Sequence, residues 1–142
     1  MTGSSLQFAL PWPPTENTYR RFVKGNPRPL ISDKGRRYKA TVIGIIRASR
    51  YNRELAGRLE VEIMLRPPDR RRRDIDNTLK ALLDAMQAGG VYLDDSQIDS
   101  LHVQRCEPVK DGMVWVEITE RTHNKDAANL AKGGKTKNRE ET

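Results

Sequence analysis

Alternating apolar and polar residues in two stretches of the chain predict β-strands. Residues 6–10 (LQFAL) and residues 59–65 (LEVEIML) place every second side chain on one apolar face, which is the period of a half-buried strand. Pro67 and Pro68 end the second strand, since proline has no N–H for a sheet ladder. Residues 11–22 (PWPPTENTYRRF) contain three prolines and predict a rigid, exposed loop without helix.

Apolar residues at helical spacing predict two amphipathic helices. The first begins after Ser32, a residue type that caps helix N-termini, and its apolar face falls within residues 38–49. The second begins near Asp76 and repeats leucine and methionine at i, i+3, i+4 and i+7 over residues 79–86. The glycine pair 89–90 stops it.

Two further strands are predicted at residues 101–106 (LHVQRC) and 113–119 (MVWVEIT). The loop between them carries Asp111 and Gly112, so we predict that the two strands form a hairpin. The elements then follow in the order β–α–β–α–β–β. This order is typical of a single α/β domain with a mixed sheet and two main helices.

The length of 142 residues suits one domain, which we place at residues 1–120. Beyond it the apolar pattern disappears, and residues 121–142 predict a polar, basic, disordered tail. The single cysteine excludes an internal disulfide, and two histidines are too few for a zinc quartet. Without a long apolar run or a leader, the chain is expected to be soluble and cytoplasmic, with no membrane span.

The net charge of +7 is unevenly distributed along the chain. Residues 20–53 hold eleven Lys or Arg against one acidic residue, whereas residues 81–120 hold eight Asp or Glu against two basic residues. A basic front half and an acidic block suggest a polyanion held next to carboxylates. A basic protein with a solvated surface would have the same net charge.

Residues 69–80 (DRRRRDIDNTLK) place four arginines directly before two aspartates, Asp74 and Asp76. In an extended segment these two carboxylates project to the same side, and Lys80, one helical turn after Asp76, returns to that face. The aspartate pair 94–95 follows the second helix closely. Converging carboxylates repel one another unless a cation lies among them, and oxygen donors without His or Cys favour Mg²⁺ or Mn²⁺.

Each of these features also has an ordinary structural explanation. Asp74 or Asp76 could serve only as a helix cap, and Lys80 could only pair with Asp84 at i+4. The aspartate pair could form an ordinary turn. Their occurrence together with the arginine run favours a functional site.

Phosphodiester hydrolysis accounts for both charge blocks, because cations hold phosphates while carboxylates fix metal ions that activate water. We therefore predict a metal-dependent nuclease in which Asp74, Asp76 and Asp95 bind the metal. Lys80 stabilises the developing negative charge or orients the attacking water. The candidate DNA contacts are Arg70, Arg71, Arg72, Arg73 and, in the basic front half, Arg20 and Arg21.

Three stretches, LPWPPTENTYRR, PDRRRRDIDNTLKALLDAM and GGVYLDDSQI, resemble the RusA family of Holliday junction resolvases, which are small bacterial and phage endodeoxyribonucleases. The resemblance implies that Asp74, Asp76 and Asp95 bind Mg²⁺ and that Lys80 is needed for cleavage. It also implies a mixed sheet with helices, and a homodimer that cuts two strands of a four-way junction in DNA recombination and repair.

A two-fold dimer also has a physical reason, since one carboxylate cluster makes one active site and resolution needs symmetric cuts in two strands. Two alternatives remain open. One is a nuclease with a broader range, acting on flaps, forks or single strands, and a panel of branched substrates would distinguish it. The other is a protein that holds junctions without cutting, which Mg²⁺-dependent nicking would exclude.

Overall fold

The computed structural model describes residues 5–21, 24–26 and 30–121, with only the backbone of residues 16, 17, 20 and 21. Within this part, four long strands form one mixed sheet and two long helices pack against each other. The predicted α/β domain with two main helices is thereby confirmed. The predicted disordered tail lies outside the described residues, apart from Arg121.

The described part contains six strands and three α-helices. In chain order they are β1 (Ser5–Leu10), α1 (Glu16–Tyr19), β2 (Arg20–Arg21), β3 (Leu30–Ile31), α2 (Asp33–Ala48), β4 (Arg58–Arg66), α3 (Leu79–Ala88), β5 (Ile98–Arg105) and β6 (Met113–Arg121). Two 3₁₀ turns, Ile75–Thr78 and Asp95–Gln97, precede α3 and β5. The short strands β2 and β3 pair only with each other.

The long strands lie in the order β1–β6–β4–β5. β6 runs antiparallel to both β1 and β4, whereas β5 runs parallel to β4. The predicted hairpin between β5 and β6 is therefore wrong. Alternate residues of β6 are buried and fit a central position, while most of β5 is exposed and fits an edge. The parallel pair needs a crossover connection, which α3 supplies.

One face of the sheet carries the core and the other is open. The buried residues are Leu6, Phe8 and Leu10 of β1, Leu59, Val61, Ile63 and Leu65 of β4, and Val114, Val116 and Ile118 of β6. They cluster with buried residues of α2 and α3 at helical spacing. On the open face, Gln7, Glu62 and Met64 are exposed.

Helix α1 lies inside the segment for which we predicted no helix, and that prediction was wrong. All three prolines of this segment come before the helix, and proline restricts only its own position and the residue preceding it. The Thr15 carbonyl accepts the Tyr19 N–H at 2.8 Å, and the Thr15 hydroxyl accepts the Thr18 N–H at 3.4 Å. Thr15 therefore closes a single turn directly after the prolines.

Helix α2 begins as predicted, because the Ser32 hydroxyl accepts the Gly35 N–H at 3.0 Å. The same hydroxyl donates to backbone carbonyls of α1, which joins the start of α2 to the preceding segment. In the residues described, no helix has both the length and the apolar composition needed to cross a membrane.

Candidate active site

The four arginines lie in a loop between β4 and the first 3₁₀ turn, and we call residues 69–73 the arginine loop. Asp69 organises this loop: it accepts the Arg71 N–H at 3.0 Å and forms an ion pair with Arg73 at 2.7 Å. The Arg73 side chain is only 17% exposed, and its guanidinium lies 5.9 Å from the centre of the Trp12 ring. Arg73 therefore holds the loop in place, and DNA binding by this residue stays a prediction.

The charge of Asp69 is stabilised by these contacts. The Arg73 guanidinium and the Arg71 N–H hold the pKa of the Asp69 carboxyl well below its usual range. Asp69 is therefore ionised throughout the neutral range, and the loop keeps its internal ion pairs there.

The other arginines of the loop are exposed. Arg70 pairs with Glu107 at 2.7 Å, and Arg71 pairs with Asp69 at 3.3 Å. Arg72 forms no ion pair with any residue that the structure describes. Exposed ion pairs of this kind contribute about 0–1 kcal/mol, so these guanidinium groups can exchange their partners for phosphate at little cost.

Asp74 and Asp76 follow the arginine loop, and both side chains are exposed. Asp74 occupies the N-cap position of the 3₁₀ turn, but its side chain makes no capping hydrogen bond. Neither carboxylate has a hydrogen bond or ion pair with a described residue. The ordinary capping explanation therefore does not account for Asp74, and both carboxylates are available to a ligand.

The aspartate pair after α3 is divided between two environments. Asp94 caps the second 3₁₀ turn by accepting the Ser96 N–H at 3.0 Å, and this bond lowers the pKa of the Asp94 carboxyl. Asp95 is half-buried, and its N–H donates to the Gln87 side chain of α3 at 2.9 Å. The capping role thus belongs to the first aspartate and leaves the second for another function.

The segment with the two aspartates is anchored by Gln97, which is 8% exposed. Its side-chain oxygen accepts the N–H groups of Leu93 at 3.0 Å and Asp94 at 2.8 Å. Its amide nitrogen donates to the carbonyls of Leu55 at 2.9 Å and Gly57 at 2.8 Å. We did not predict this positioning residue, although the spacing Asp94-x-x-Gln97 of a capping box could have indicated it.

Lys80 lies on α3, and its ammonium is 3.4 Å from the Asp84 carboxylate. Asp84 also accepts the hydroxyl of buried Tyr19 at 3.0 Å. The ordinary i,i+4 ion pair is therefore present. The catalytic role of Lys80 stays a prediction.

Tyr92 lies close to the carboxylates of α3 and of the following segment. Burial raises the pKa of its hydroxyl, and the negative charges of Asp95, Asp84 and Asp94 raise it further. The hydroxyl donates to the Leu83 carbonyl at 2.8 Å. It therefore remains protonated near neutral pH and acts as a fixed structural donor.

Among the described residues, no three His, Cys, Asp or Glu side chains are arranged so that they could hold a metal ion. The donor chemistry of Asp74 and Asp76 nevertheless fits a hard divalent cation, because these are carboxylates without a cationic partner in the described part. Next to them, the buried Thr78 hydroxyl has no hydrogen-bond partner there either. A metal site formed with Asp95 stays a prediction, and the side chains of Arg20 and Arg21 lie outside the described part.

Comparison with known proteins gives consistent matches. The family model for endodeoxyribonuclease RusA matches residues 11–119. The crossover junction endodeoxyribonuclease of Enterobacteria phage HK97 is 41% identical over 117 residues, which cover 82% of this chain and 96% of the phage protein. The proteins of the same description from Enterobacteria phage 82 and Escherichia coli strain K12 are 38% and 37% identical, with the same coverage.

Proposed function

Because the chain belongs to the RusA family of endodeoxyribonucleases, we propose that it cuts DNA at four-way crossover junctions in recombination and repair. The observation that carries this conclusion is the match across most of the chain to crossover junction endodeoxyribonucleases. The site supports it, because exposed arginines stand directly before Asp74 and Asp76, and neither carboxylate has a cationic partner in the described part.

We propose that Asp74, Asp76 and Asp95 hold Mg²⁺, for which Mn²⁺ can substitute. When bound, the ion activates a water molecule and stabilises the leaving oxygen. Asp95 would reach the ion from a segment held by Gln97, so that its position depends on hydrogen bonds formed before any metal binds.

The cations of the site bind the scissile strand in this proposal. Exposed Arg70, Arg71 and Arg72 grip backbone phosphates, and Arg73 keeps the loop in shape through Asp69. The Lys80 side chain is 43% exposed, so its ammonium can leave Asp84 and approach the phosphate where negative charge develops.

A homodimer is the proposed active unit, since paired cuts in two strands need two sites in matching orientation. Light scattering during gel filtration tests this directly. A dimer has twice the 16.2 kDa mass of one chain. A single-chain mass at the concentrations that support cleavage would contradict the proposal.

Cleavage of a synthetic four-way junction, with and without Mg²⁺, tests the proposed activity, with cuts mapped on each strand. We expect symmetric cuts that require the metal. Asp76→Asn should abolish them while junction binding persists or tightens, because a negative charge next to the phosphate is removed. Asp33→Asn, at an exposed aspartate on α2 that pairs with Arg36, serves as the charge-matched control.

Undiminished cutting by Asp76→Asn would refute the assignment of the site. Equal cutting of flaps, forks and junctions would indicate the broader nuclease instead. Binding without any metal-dependent nicking would indicate a protein that only holds junctions.

A further inference from the structure

A cleft of about 720 Å³ lies between the proline-rich segment after β1, the first turns of α2 and the arginine loop. Its volume falls within the range of about 300–1,000 Å³ that is usual for small-ligand sites. The cleft extends to Arg73, the residue before Asp74, so a ligand in it would lie directly beside the proposed cutting site. The roles proposed above use the arginines at one side of this cleft and leave its other walls unassigned.

One wall of the cleft is apolar and consists of Trp12, Pro13 and Pro14. A Cβ on Gly112 would lie 2.8 Å from the Trp12 Cβ, and Gly112 has a φ of +73°. Glycine permits this close approach because it has no Cβ, and it adopts this backbone conformation without strain. Trp12 is thus packed against the turn before β6 and lines the cleft, and an aromatic residue fixed in this way can serve as a platform on which a base stacks.

The wall is also attached to α2 by a hydrogen bond. The hydroxyl of buried Tyr38 donates to the Pro11 carbonyl at 2.9 Å. Burial raises the pKa of Tyr38, so the hydroxyl keeps its proton and the bond persists near neutral pH. The proline-rich wall is therefore joined to α2 without a ligand.

The rest of the lining is strongly basic. It contains five Lys or Arg side chains and no carboxylate. Three of these cations, Lys34, Arg37 and Arg72, form no ion pair with any residue in the part of the chain that the structure describes. Unpaired cations on several sides of a cleft attract an anion of high charge density such as a phosphate.

We propose that this cleft binds one unpaired nucleotide of a DNA strand, with its base stacked on Trp12 and its phosphate held by Lys34 and Arg37. A phosphate alone would contact the cations and not the aromatic wall, whose Trp12 ring also lies 5.9 Å from the Arg73 guanidinium. A base inside a duplex has both faces covered by its neighbours and could not stack on Trp12. The inference rests on the proposed nuclease function, since it supplies a holding point for the strand beside Asp74.

The affinity of the full-length protein for two short probes, measured without divalent metal, tests the inference. The probes are a dye-labelled oligothymidylate and a matched chain of abasic residues, which has the same phosphates but no bases. We expect the oligothymidylate to bind more tightly. Trp12→Leu should weaken its binding about 10-fold while leaving the abasic probe unaffected, because stacking on an aromatic ring is lost.

Three variants separate stacking from charge and from misfolding. Trp12→Phe keeps an aromatic ring and should bind oligothymidylate more tightly than Trp12→Leu. Arg37→Ala should weaken binding of both probes, whereas Arg47→Ala, which removes an exposed cation near the other end of α2, should weaken neither. In a Trp115→Phe background, Trp12 is the only tryptophan left, and its emission should be quenched by oligothymidylate but not by the abasic probe.

Equal binding of the two probes by the unaltered protein would overturn the inference and indicate a site for phosphates alone. Unchanged Trp12 emission at saturating oligothymidylate, or equal affinities for Trp12→Leu and Trp12→Phe, would also overturn it. These results are independent of cutting. Selective binding of oligothymidylate without any junction cleavage would refute the proposed nuclease and leave the nucleotide site standing.

Discussion

Asp94 and Asp95 are neighbours in the chain, but only one of their two carboxylates is used to cap a 3₁₀ turn. Asp94 accepts the Ser96 N–H, so its carboxylate is occupied by the cap of a 3₁₀ turn. Asp95 contributes its backbone N–H to Gln87, and its carboxylate is not used for a cap. The order of the pair therefore decides which carboxylate is taken up by the cap, and the second is the one proposed to bind a metal.

Lys80 and Asp84 form a pair whose two members should behave differently in cleavage. An exposed i,i+4 ion pair contributes only about 0.3–0.5 kcal/mol to stability, so its loss alone would hardly change the fold. Removing a donor that stabilises charge in the transition state costs on the order of 100-fold or more in rate. We predict that Lys80→Ala folds and binds junctions but cuts them at least about 100-fold more slowly in single-turnover assays at saturating Mg²⁺.

Asp84→Asn is the matched variant, because asparagine still offers an oxygen to the Tyr19 hydroxyl while the ion pair with Lys80 is lost. It should keep most of the cleavage rate. If Lys80→Ala and Asp84→Asn both reduce the cleavage rate only slightly, Lys80 is an ordinary surface residue and not a catalytic one.

Residue types in a short stretch identified Asp74, Asp76, Lys80 and Asp95 as candidates, because charge and spacing are written directly in the sequence. The hydrogen-bond and ion-pair partners of a side chain cannot be read from the sequence in this way. Gln97 bonds to Leu55 and Gly57, which lie far from it in the chain, and no local pattern contains those contacts. Arg73 differs from the three exposed arginines because Asp69 and Trp12 lie next to it in space, and the sequence does not show this either.

The arginine loop is an element whose shape depends on one carboxylate, Asp69. The folded-state pKa of Asp69 lies below its unfolded value, so the carboxylate contributes stability at pH values above about 3.9, the ordinary Asp pKa. That contribution is lost as the pH falls below about 3.9 toward the lowered pKa. We predict that Asp69→Asn is less stable than the unaltered protein at neutral pH and that the difference fades in strong acid.

Urea unfolding at a series of pH values from neutral to about 2 measures this difference. A constant gap between Asp69→Asn and the unaltered protein over the whole range would contradict the assigned ion pairs. The asparagine side chain of this variant keeps an oxygen for the Arg71 N–H, so the comparison isolates the charge.

Gln97 joins the segment before β5 to the segment before β4. Gln97→Leu would remove four hydrogen bonds. The Leu93 N–H and the Leu55 carbonyl keep a bond to each other at 3.3 Å, but the Asp94 N–H and the Gly57 carbonyl lose their Gln97 partner. A buried polar group left without a partner costs about 1–3 kcal/mol. We predict a loss of about 2 kcal/mol or more in the free energy of unfolding, measured by urea titration. Gln104→Leu, at an exposed glutamine of β5, should change stability little.

The same variant tests whether cleavage depends on the position that Gln97 gives to Asp95. A Gln97→Leu protein that folds in the cold should cut junctions slowly even where it is fully folded, because Asp95 loses its support. Normal cleavage by the folded variant would limit Gln97 to a purely structural role.

The sequence predicted the elements whose apolar residues repeat with a clear period. It did not predict which strands pair with each other. β1, α2, β4 and α3 each repeat apolar residues at the period of their own structure, so the sequence predicted them directly. β5 pairs with β4 and not with β6, because β6 has β1 and β4 as its two neighbours in the sheet. This strand order is a property of the assembled sheet and not of any local stretch of sequence. The single turn of α1 is too short to show any period.

The basic charge of the whole molecule should make DNA binding depend strongly on salt. Each arginine that neutralises a phosphate contributes about 0.9 to the slope of log K against log salt. We predict that Arg72→Ala lowers this slope by about that amount for a junction, since Arg72 has no carboxylate partner in the described part.

Filter binding or anisotropy over a range of salt concentrations measures the slope. Arg47→Ala carries the same change in net charge on a different surface and should leave the slope nearly unchanged. If both variants lower the slope equally, Arg72 contributes to DNA binding only through the net charge and not through a direct phosphate contact.

The position of β6 has a consequence for how the chain folds during synthesis. Of the strands that the structure describes, β6 is the last to be made, yet it lies between β1 and β4 and pairs with both. Until it emerges from the ribosome, β1 has no neighbour in the sheet, and β4 has a partner only on the edge that pairs with β5. Pairing between strands so far apart in the chain slows folding. The nascent protein therefore passes through a stage in which β1 and one edge of β4 are unpaired and open to chaperones and to aggregation.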